Sequence, residues 1–518
     1  MIEHVIPHSF GSALSWLLAC IALRLLYNRY GNGLNNVPGP WLASLTDLWR
    51  LYIVLGRRAQ DVHIELHKKY GPVVRLGPRA VSIADPAAIK IIYSPSAGFP
   101  KSSFYPVQQA LARGKKLETM FNTANERYHA KLRRAVSNAY AMSTLVTFEP
   151  FVDSTSTEFL KQLKSRFADR PGSEGICDFG AWLQYYAFDV IGELTFSKRL
   201  GFVERGCDID NIIQDLEGFL NYVSWIGQIP FLDNLFIKNP FKIWMAKNGL
   251  LKSSAPVAEF ARKHLDERQE EEESGVTKTK RRDFLNRFKE ARAKDPDFIT
   301  EQLVLALTVA NMFAGSDTTG ITMRAVFYFL LRDPPKMQKL IDELTEESKA
   351  GRFSRDDGLV QWEEVRNLPY LSAVINESLR CHPAVGLTLE RIVPPKGVAV
   401  AGQFLPGGTI AGCSAWVIHQ DVGVFGSDAA KFRPERWIEA SPEQQQKMNS
   451  CLFSFGAGAR TCVGKNISLL ELYKIVPTIL RTFELELVNP ETPWKVFNAW
   501  FVRQTGFNVR LKEREKII

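Results

Sequence analysis

Phe455-Gly456-Ala457-Gly458-Ala459-Arg460-Thr461-Cys462-Val463-Gly464 is a glycine-punctuated loop that holds one cysteine and runs into an apolar-periodic helix from about Ile467. Gly456, Gly458 and Gly464 permit backbone conformations and close approaches that a Cβ would forbid, so a flat ligand can press against the loop. The N–H groups opening the next helix favour the thiolate form of Cys462. On the residues alone, this is a site for a thiolate-ligated metal with room for a large planar cofactor.

The pattern Phe455-x-x-Gly458-x-Arg460-x-Cys462-x-Gly464 resembles the haem-binding loop of the cytochromes P-450, where a cysteine thiolate is the proximal iron ligand. With each residue type at roughly a twentieth of average usage, five fixed identities arise by chance on the order of once in a few million windows. The resemblance implies haem b (iron protoporphyrin IX), Cys462 as the axial iron ligand, and Phe455, Gly458, Arg460 and Gly464 around it.

Upstream, a helix expected over about Ile299 to Leu330 is apolar nearly all round and so must be buried. Inside it stands Ala314-Gly-Ser-Asp-Thr-Thr-Gly320. Ser, Asp and Thr compete for backbone hydrogen bonds, so a local widening of the helix is expected there. The stretch resembles the family's oxygen-activation motif, which implies that Asp317 and Thr318 guide protons to dioxygen. Further on, Glu377 and Arg380 stand at i, i+3 in Pro369-Tyr-Leu-Ser-Ala-Val-Ile-Asn-Glu-Ser-Leu-Arg-Cys-His-Pro383, and Phe432-Arg-Pro-Glu-Arg436-Trp437 precedes the cysteine loop. Alone, such a pair is surface decoration worth a few tenths of a kcal/mol. The resemblance implies a buried structural trio of Glu377, Arg380 and Arg436. It also implies propionate contacts from Arg391, in Leu389-Glu-Arg-Ile-Val393, and from His129 and Arg133, where the family more often has Trp-x-x-x-Arg. A histidine can donate a hydrogen bond as an indole does.

The 518 residues carry no low-complexity linker and no internal repeat, and 45% are hydrophobic, enough for one large core. The net charge of +9 is spread over 65 basic and 56 acidic residues with no dense basic tract or recognition motif, which argues against nucleic acid and for a membrane surface or an acidic partner. Seven cysteines without a CxxC pair suit a reducing compartment. Phe10 to Tyr27 is mainly apolar, near the lower length limit for a spanning helix, and Met1 to Ser9 lacks the Lys or Arg of a signal peptide. Arg24 and Arg29 lie on its carboxyl side, which by charge bias is cytoplasmic. The expectation is a single-pass anchor and linker over 1–36 in the endoplasmic reticulum membrane and a cytosolic catalytic domain over 37–518, joined by the stiff elbow Val37-Pro-Gly-Pro40. Gly71 to Asp85 reads as two short strands around a Gly-Pro turn, and Asp266 to Arg282, with Lys278, Lys280, Arg281 and Arg282, as a solvated helix end and loop.

Together the resemblance spans about Pro38 to Lys512, closest in wording to the fungal branch that includes pisatin demethylase. It implies a mostly α-helical P-450 fold with small β-sheets and a monooxygenase that hydroxylates or oxidatively demethylates a lipophilic small molecule. No GxGxxG follows a strand, so electrons come from NADPH through a separate partner, NADPH–cytochrome P-450 reductase. By position in the family the substrate is lined by Phe104, Phe313, Ala314, Leu387, Phe497 and Trp500, with Asn311 among a few polar points. Biosynthesis of a fungal secondary metabolite is the favoured role. Detoxification of a host-plant phytoalexin is the alternative. A haem-thiolate isomerase or dehydratase, or a haem sensor, would have no use for Asp317 and Thr318.

Overall fold

The computed structural model describes residues 5–95, 98–251, 254–274 and 283–518, with side chains from residue 12 onward. Lys278, Lys280, Arg281 and Arg282 of the charged run, and Met1 to His4 of the amino-terminal segment, lie outside the described residues.

Helices dominate: α1 (Val5–Tyr30), α2 (Glu126–Val136), α3 (Phe179–Phe196), α4 (Ile212–Ile226), α5 (Pro256–Glu273), α6 (Glu301–Leu331), α7 (Pro369–Cys381) and α8 (Lys465–Thr482), with shorter helices between them. The central one is α6. It starts where the Thr300 hydroxyl caps the N–H of Leu303 and packs against α3, α5 and α8, so nearly its whole surface is buried.

The widening expected inside α6 is absent. The helix runs unbroken through Gly315 and Gly320 because its hydroxyls bond back along the helix. Ser316 Oγ donates to the Met312 carbonyl (2.6 Å), Thr318 Oγ1 to Ala314 (2.7 Å) and Thr322 Oγ1 to Thr318 (3.0 Å). These three hydroxyls are thereby satisfied within the helix, whereas Thr319 bonds Ser468 Oγ (2.7 Å) on α8 and Asp317 bonds Gln184 on α3.

Strands β1 (Val73–Arg75) and β2 (Ala80–Ile83) form the early hairpin, and β3 (Arg391–Ile392) and β4 (Ile410–Gly412) complete a sheet in the order β1-β2-β4-β3. Here β2 and β4 pair in parallel, with Ala80 opposite Ile410, whereas β3 pairs antiparallel to β4 and brings Arg391 to the sheet edge. A separate hairpin, β5 (Lys495–Ala499) and β6 (Phe501–Thr505), turns at Trp500, whose φ of 76° is the left-handed region that a bulky side chain rarely adopts.

At the elbow, a Cβ on Gly39 would lie 2.4 Å from the Arg75 carbonyl, so only glycine fits there. The buried Arg75 guanidinium donates to the carbonyls of Asn28, Arg29, Leu34, Gly77 and Pro78. Leu34 and Val37 are buried as well. Residues from Asn28 onward are therefore built into the body, upstream of the boundary expected at residue 36. Among the described residues no helix is long and apolar enough to cross a membrane. The spanning anchor is thus not upheld over the described part of α1, where Arg24, Asn28 and Arg29 interrupt the apolar run.

Under the cysteine loop, the Glu377 carboxylate is wholly buried. It accepts from Arg380 Nε (2.8 Å) and Nη2 (2.7 Å), Arg436 Nε (3.0 Å), Trp437 Nε1 (2.9 Å) and the Arg433 N–H (2.8 Å). Arg380 in turn donates to the carbonyls of His419, Ala429 and Lys431. His419 Nδ1 bonds the Arg380 carbonyl (2.8 Å), and its Nε2 accepts the Phe453 N–H (2.9 Å). Burial pushes the His419 pKa down to about 3, so the imidazole is neutral and can accept at Nε2 while donating at Nδ1. Ser454 Oγ adds a bond to the Leu379 carbonyl (2.6 Å). Truncating Glu377 leaves the buried Arg380 without its carboxylate partner and Arg436 with Asp428 alone (2.9 Å). Glu377→Ala is expected to cost about 3–5 kcal/mol, against at most about 1 kcal/mol for an exposed pair. Melting temperature and yield of folded chain measure the difference, and a variant as stable as the parent would overturn the account.

Candidate active site

Between α6, α2, the loop before α8 and the β5–β6 hairpin lies a cavity of about 280 Å³, mainly apolar, with Cys462 in its wall. The loop that presents Cys462 is fixed by its own backbone. The Cys462 N–H donates to the Phe455 carbonyl (2.9 Å), and Gly456 and Gly458 both take φ of +66°. A Cβ at Gly458 would stand 1.6 Å from the Tyr93 carbonyl oxygen, which makes glycine obligatory there. Gly464 differs from the expectation. Its φ is −82°, and a Cβ would meet Cys462 Sγ only at ordinary contact, 3.9 Å. Its contribution is the N–H it turns toward the sulfur.

Cys462 is exposed toward the cavity that it lines, with protein packed around the rest of the residue. Burial is consequently the largest influence on its thiol and raises its pKa above the ordinary value. The N–H groups of Gly464 and Lys465 and the charges of Arg133 and Lys465 oppose this and lose. The helix start therefore does not by itself produce the expected thiolate. A cation bound at the sulfur would.

Four cations share one side of the cavity: Lys101, Arg133, Arg391 and Arg460. Arg133 Nη1 donates to the Thr461 carbonyl (2.8 Å), Arg391 Nη1 to the Glu390 carbonyl (2.8 Å) and Tyr105 Oη (3.3 Å), and Lys101 Nζ to the Phe121 carbonyl. Among the described residues only Arg460 has a carboxylate partner, Glu126 (2.7 Å). Burial, followed by the charges of Arg391 and Arg460, holds the Lys101 pKa well below its usual range. His129 lies beside them, pushed down to about 3 by burial and by Arg460, Lys101, Arg133 and Arg391, and is neutral. Such an excess of buried positive charge calls for an anion with more than one carboxylate. Haem would meet that demand with its two propionates, its flat macrocycle would suit the apolar walls, and Cys462 would offer a thiolate to its iron, so the residues present fit the cofactor. Lys101 was not singled out from sequence, because one lysine in a loop has no periodic signal.

Thr318, Phe313, Ala314, Leu387, Trp500 and Phe455 line the cavity where the sequence placed them. Asp317 does not. One residue along a helix turns about 100°, so Asp317 faces away from the cavity that Thr318 lines. Its Oδ1 accepts from Gln184 Nε2, while Gln184 Oε1 accepts from Arg324 Nη2 (2.7 Å), and its Oδ2 is buried without a partner among the described residues. Phe104 sits behind the wall, its ring tilted 38° against Trp500 with centroids 4.9 Å apart, and lines a small neighbouring cavity. Phe497 is 36% exposed beneath the Arg57 guanidinium, 5.0 Å away, because strand alternation turns it out of the hairpin's inner face.

With this geometry in hand, comparison with known proteins is decisive. The cytochrome P450 family model matches residues 38–509. The chain belongs to the cytochrome P450 family. It is 44% identical over 455 residues to a cytochrome P450 monooxygenase of Aspergillus terreus, covering 87% of this chain and 90% of the relative. It is 40% identical over 499 residues to cytochrome P450 monooxygenase cicH of Emericella nidulans, covering 96% and 98%. To cytochrome P450 monooxygenase pkfB of the same organism it is 37% identical over 521 residues, covering 99% of each chain.

Gly458→Ala and Cys462→Ala are expected to fail in different ways. The first cannot form the loop and should give little folded protein. The second should fold but lack the red-shifted carbon-monoxide absorption band of a thiolate-ligated haem. Cys381→Ala and Cys451→Ala should keep that band, and a Cys462→Ala protein that also keeps it would refute the ligand assignment.

Proposed function

We propose that this cytochrome P450 is a haem-thiolate monooxygenase that inserts one atom of dioxygen into a C–H bond of a lipophilic small molecule, by hydroxylation or oxidative demethylation, in fungal secondary metabolism. The observation that carries the reading is one apolar cavity that holds Cys462, the Thr318 hydroxyl and a group of cations, of which Lys101 and Arg391 are buried and, among the described residues, only Arg460 has a carboxylate partner. When bound, haem would supply dioxygen activation at a thiolate-held iron, with Cys462 as the residue that would hold it. The chain does the rest. Cys462 and the cations Lys101, Arg133, Arg391 and Arg460 seat the cofactor, while the apolar walls exclude water and orient the substrate. Thr318 holds a hydroxyl proton at the cavity wall, while Asp317, turned away from the cavity and held by Gln184, stands one residue behind it on the same helix. Electrons are taken to arrive from NADPH through a separate reductase. That the fungal relatives are cytochrome P450 monooxygenases by name supports this class of reaction over isomerisation.

Attachment to the endoplasmic reticulum membrane, with the catalytic body in the cytosol, belongs to the same proposal. Its support is exposed apolar surface: Trp16, Leu17, Leu18 and Leu23 on α1, and Phe231, Phe236, Phe241 and Trp244 after α4. Removing residues 1–27 keeps every carbonyl that Arg75 holds and is expected to release most of the protein from membrane pellets with its haem intact. Unchanged sedimentation would refute the role of α1.

Turnover tests the chemistry. Metabolites that accumulate in a deletion strain identify the substrate, which the purified protein, reductase and NADPH should convert only when oxygen is present. Thr318→Ala should retain haem and consume NADPH while peroxide replaces most of the product. Coupling at the parent's level would remove Thr318 from the proton route.

A further inference from the structure

The cavity is also walled by Leu117, Phe219, Val257, Leu307 and Phe313, and three carboxamides interrupt this apolar surface: Asn122, whose amide is bonded to the backbone of Thr119, Leu117 and Gln108, and those of Gln108 and Asn311. Both residues are 7% exposed. Neither Gln108 Oε1 nor Nε2 has a hydrogen-bond partner among the described residues, and neither has Asn311 Nδ2. The other amide atom of Asn311, Oδ1, accepts from the Tyr140 hydroxyl at 2.6 Å. That hydroxyl can serve either amide orientation, so one atom of the Asn311 carboxamide is without a protein partner in both.

The backbone that carries Gln108 is, in contrast, fully engaged. Its N–H donates to the Tyr105 carbonyl (2.9 Å), and its carbonyl accepts from Asn122 Nδ2 (3.4 Å). The two carbonyls before it, of Pro106 and Val107, accept from the Nζ of Lys238 (3.0 and 2.7 Å), a buried lysine paired with Asp233 at 2.6 Å. Gln108 is thus a rigidly mounted residue whose side chain is not needed by the fold. A buried polar group left unmade is costly, so two such groups on an apolar wall point to a ligand that completes them.

Given the reading of this cavity as the substrate's, we infer that Gln108 and Asn311 bind a neutral oxygen function of the substrate, a carbonyl or hydroxyl group carried on an otherwise apolar skeleton. Among the described residues that line the cavity, the charged side chains are those of the cofactor group, and neither amide is bonded to one of them. An ionic ligand would meet no counter-charge here. A pure hydrocarbon would leave both amides unsatisfied. An uncharged oxygen function held at this point also fixes which end of the skeleton faces the Thr318 side of the cavity, so the pair selects the carbon that reacts as well as the molecule.

Fluorene and 9-fluorenone differ by one carbonyl oxygen and test the inference in the haem-loaded protein, with binding read from the haem absorption shift. A purely apolar wall favours the hydrocarbon, because the ketone gives up hydration on entering. The expected result is 9-fluorenone bound at least about tenfold more tightly than fluorene, the size of one net hydrogen bond. Gln108→Leu and Asn311→Leu should each remove most of that preference and leave fluorene binding within about twofold. Fluorene bound as tightly as 9-fluorenone by the parent protein, or a preference that survives both substitutions, would overturn the inference. Should Asn311→Leu lose its haem, the parent and Gln108→Leu still decide. A parent protein without the thiolate band would instead overturn the haem-thiolate reading itself, which keeps the two failures apart.

Discussion

A carboxylate with no access to water, Glu377, is the constraint on which the rest of the site depends. An ion buried this deeply is tolerable only if every lone pair is met, and five donors from Arg380, Arg433, Arg436 and Trp437 meet it. Those donors come from α7 and from the segment around residues 433–437, so satisfying one side chain fixes two distant stretches of chain in register. His419 and Ser454 carry the register onward, from Arg380 and Leu379 to the backbone at Phe453 and Ser454, where the cysteine loop begins. The position of the sulfur is therefore set from below by polar contacts, while the cavity above it is shaped by apolar packing.

How far the sequence reveals this depends on whether the signal is local. The cysteine loop, the Glu377–Arg380 spacing and the early Gly-Pro hairpin were legible because turn chemistry and fixed spacing are properties of a few adjacent residues. Residues acting across long sequence separations were not. Lys101 and Gln108 lie in a loop with no periodicity, and their importance appears only when chain more than 200 residues away closes around them. Asp317 and Phe497 show a different limit. Both belong to the right elements, yet a step of one residue along a helix or strand decides whether a side chain faces a cavity or its back, and resemblance carries an element over more reliably than it carries a facing.

The unbroken α6 shows local rules and tertiary context reaching a compromise. Its hydroxyl side chains were expected to loosen the helix; Ser316, Thr318 and Thr322 remain inside it by bonding to carbonyls one turn back, and Thr319 bonds across to Ser468. Thr318 keeps a hydroxyl oxygen at the cavity wall with its proton already placed on the Ala314 carbonyl. A group so arranged can accept and hand on a proton by rotating about one bond, with the helix backbone unmoved.

Arg75 has a mechanical consequence. Its guanidinium joins the end of α1 to β1, and β1 belongs to the sheet whose far edge, β3, carries Arg391 at the cavity. The amino-terminal helix is thus a keel rather than a tether. Torque applied along it passes into the sheet without a slack linker to absorb it, so the tilt of the whole body, and the direction in which the cavity faces, are inherited from the axis of α1.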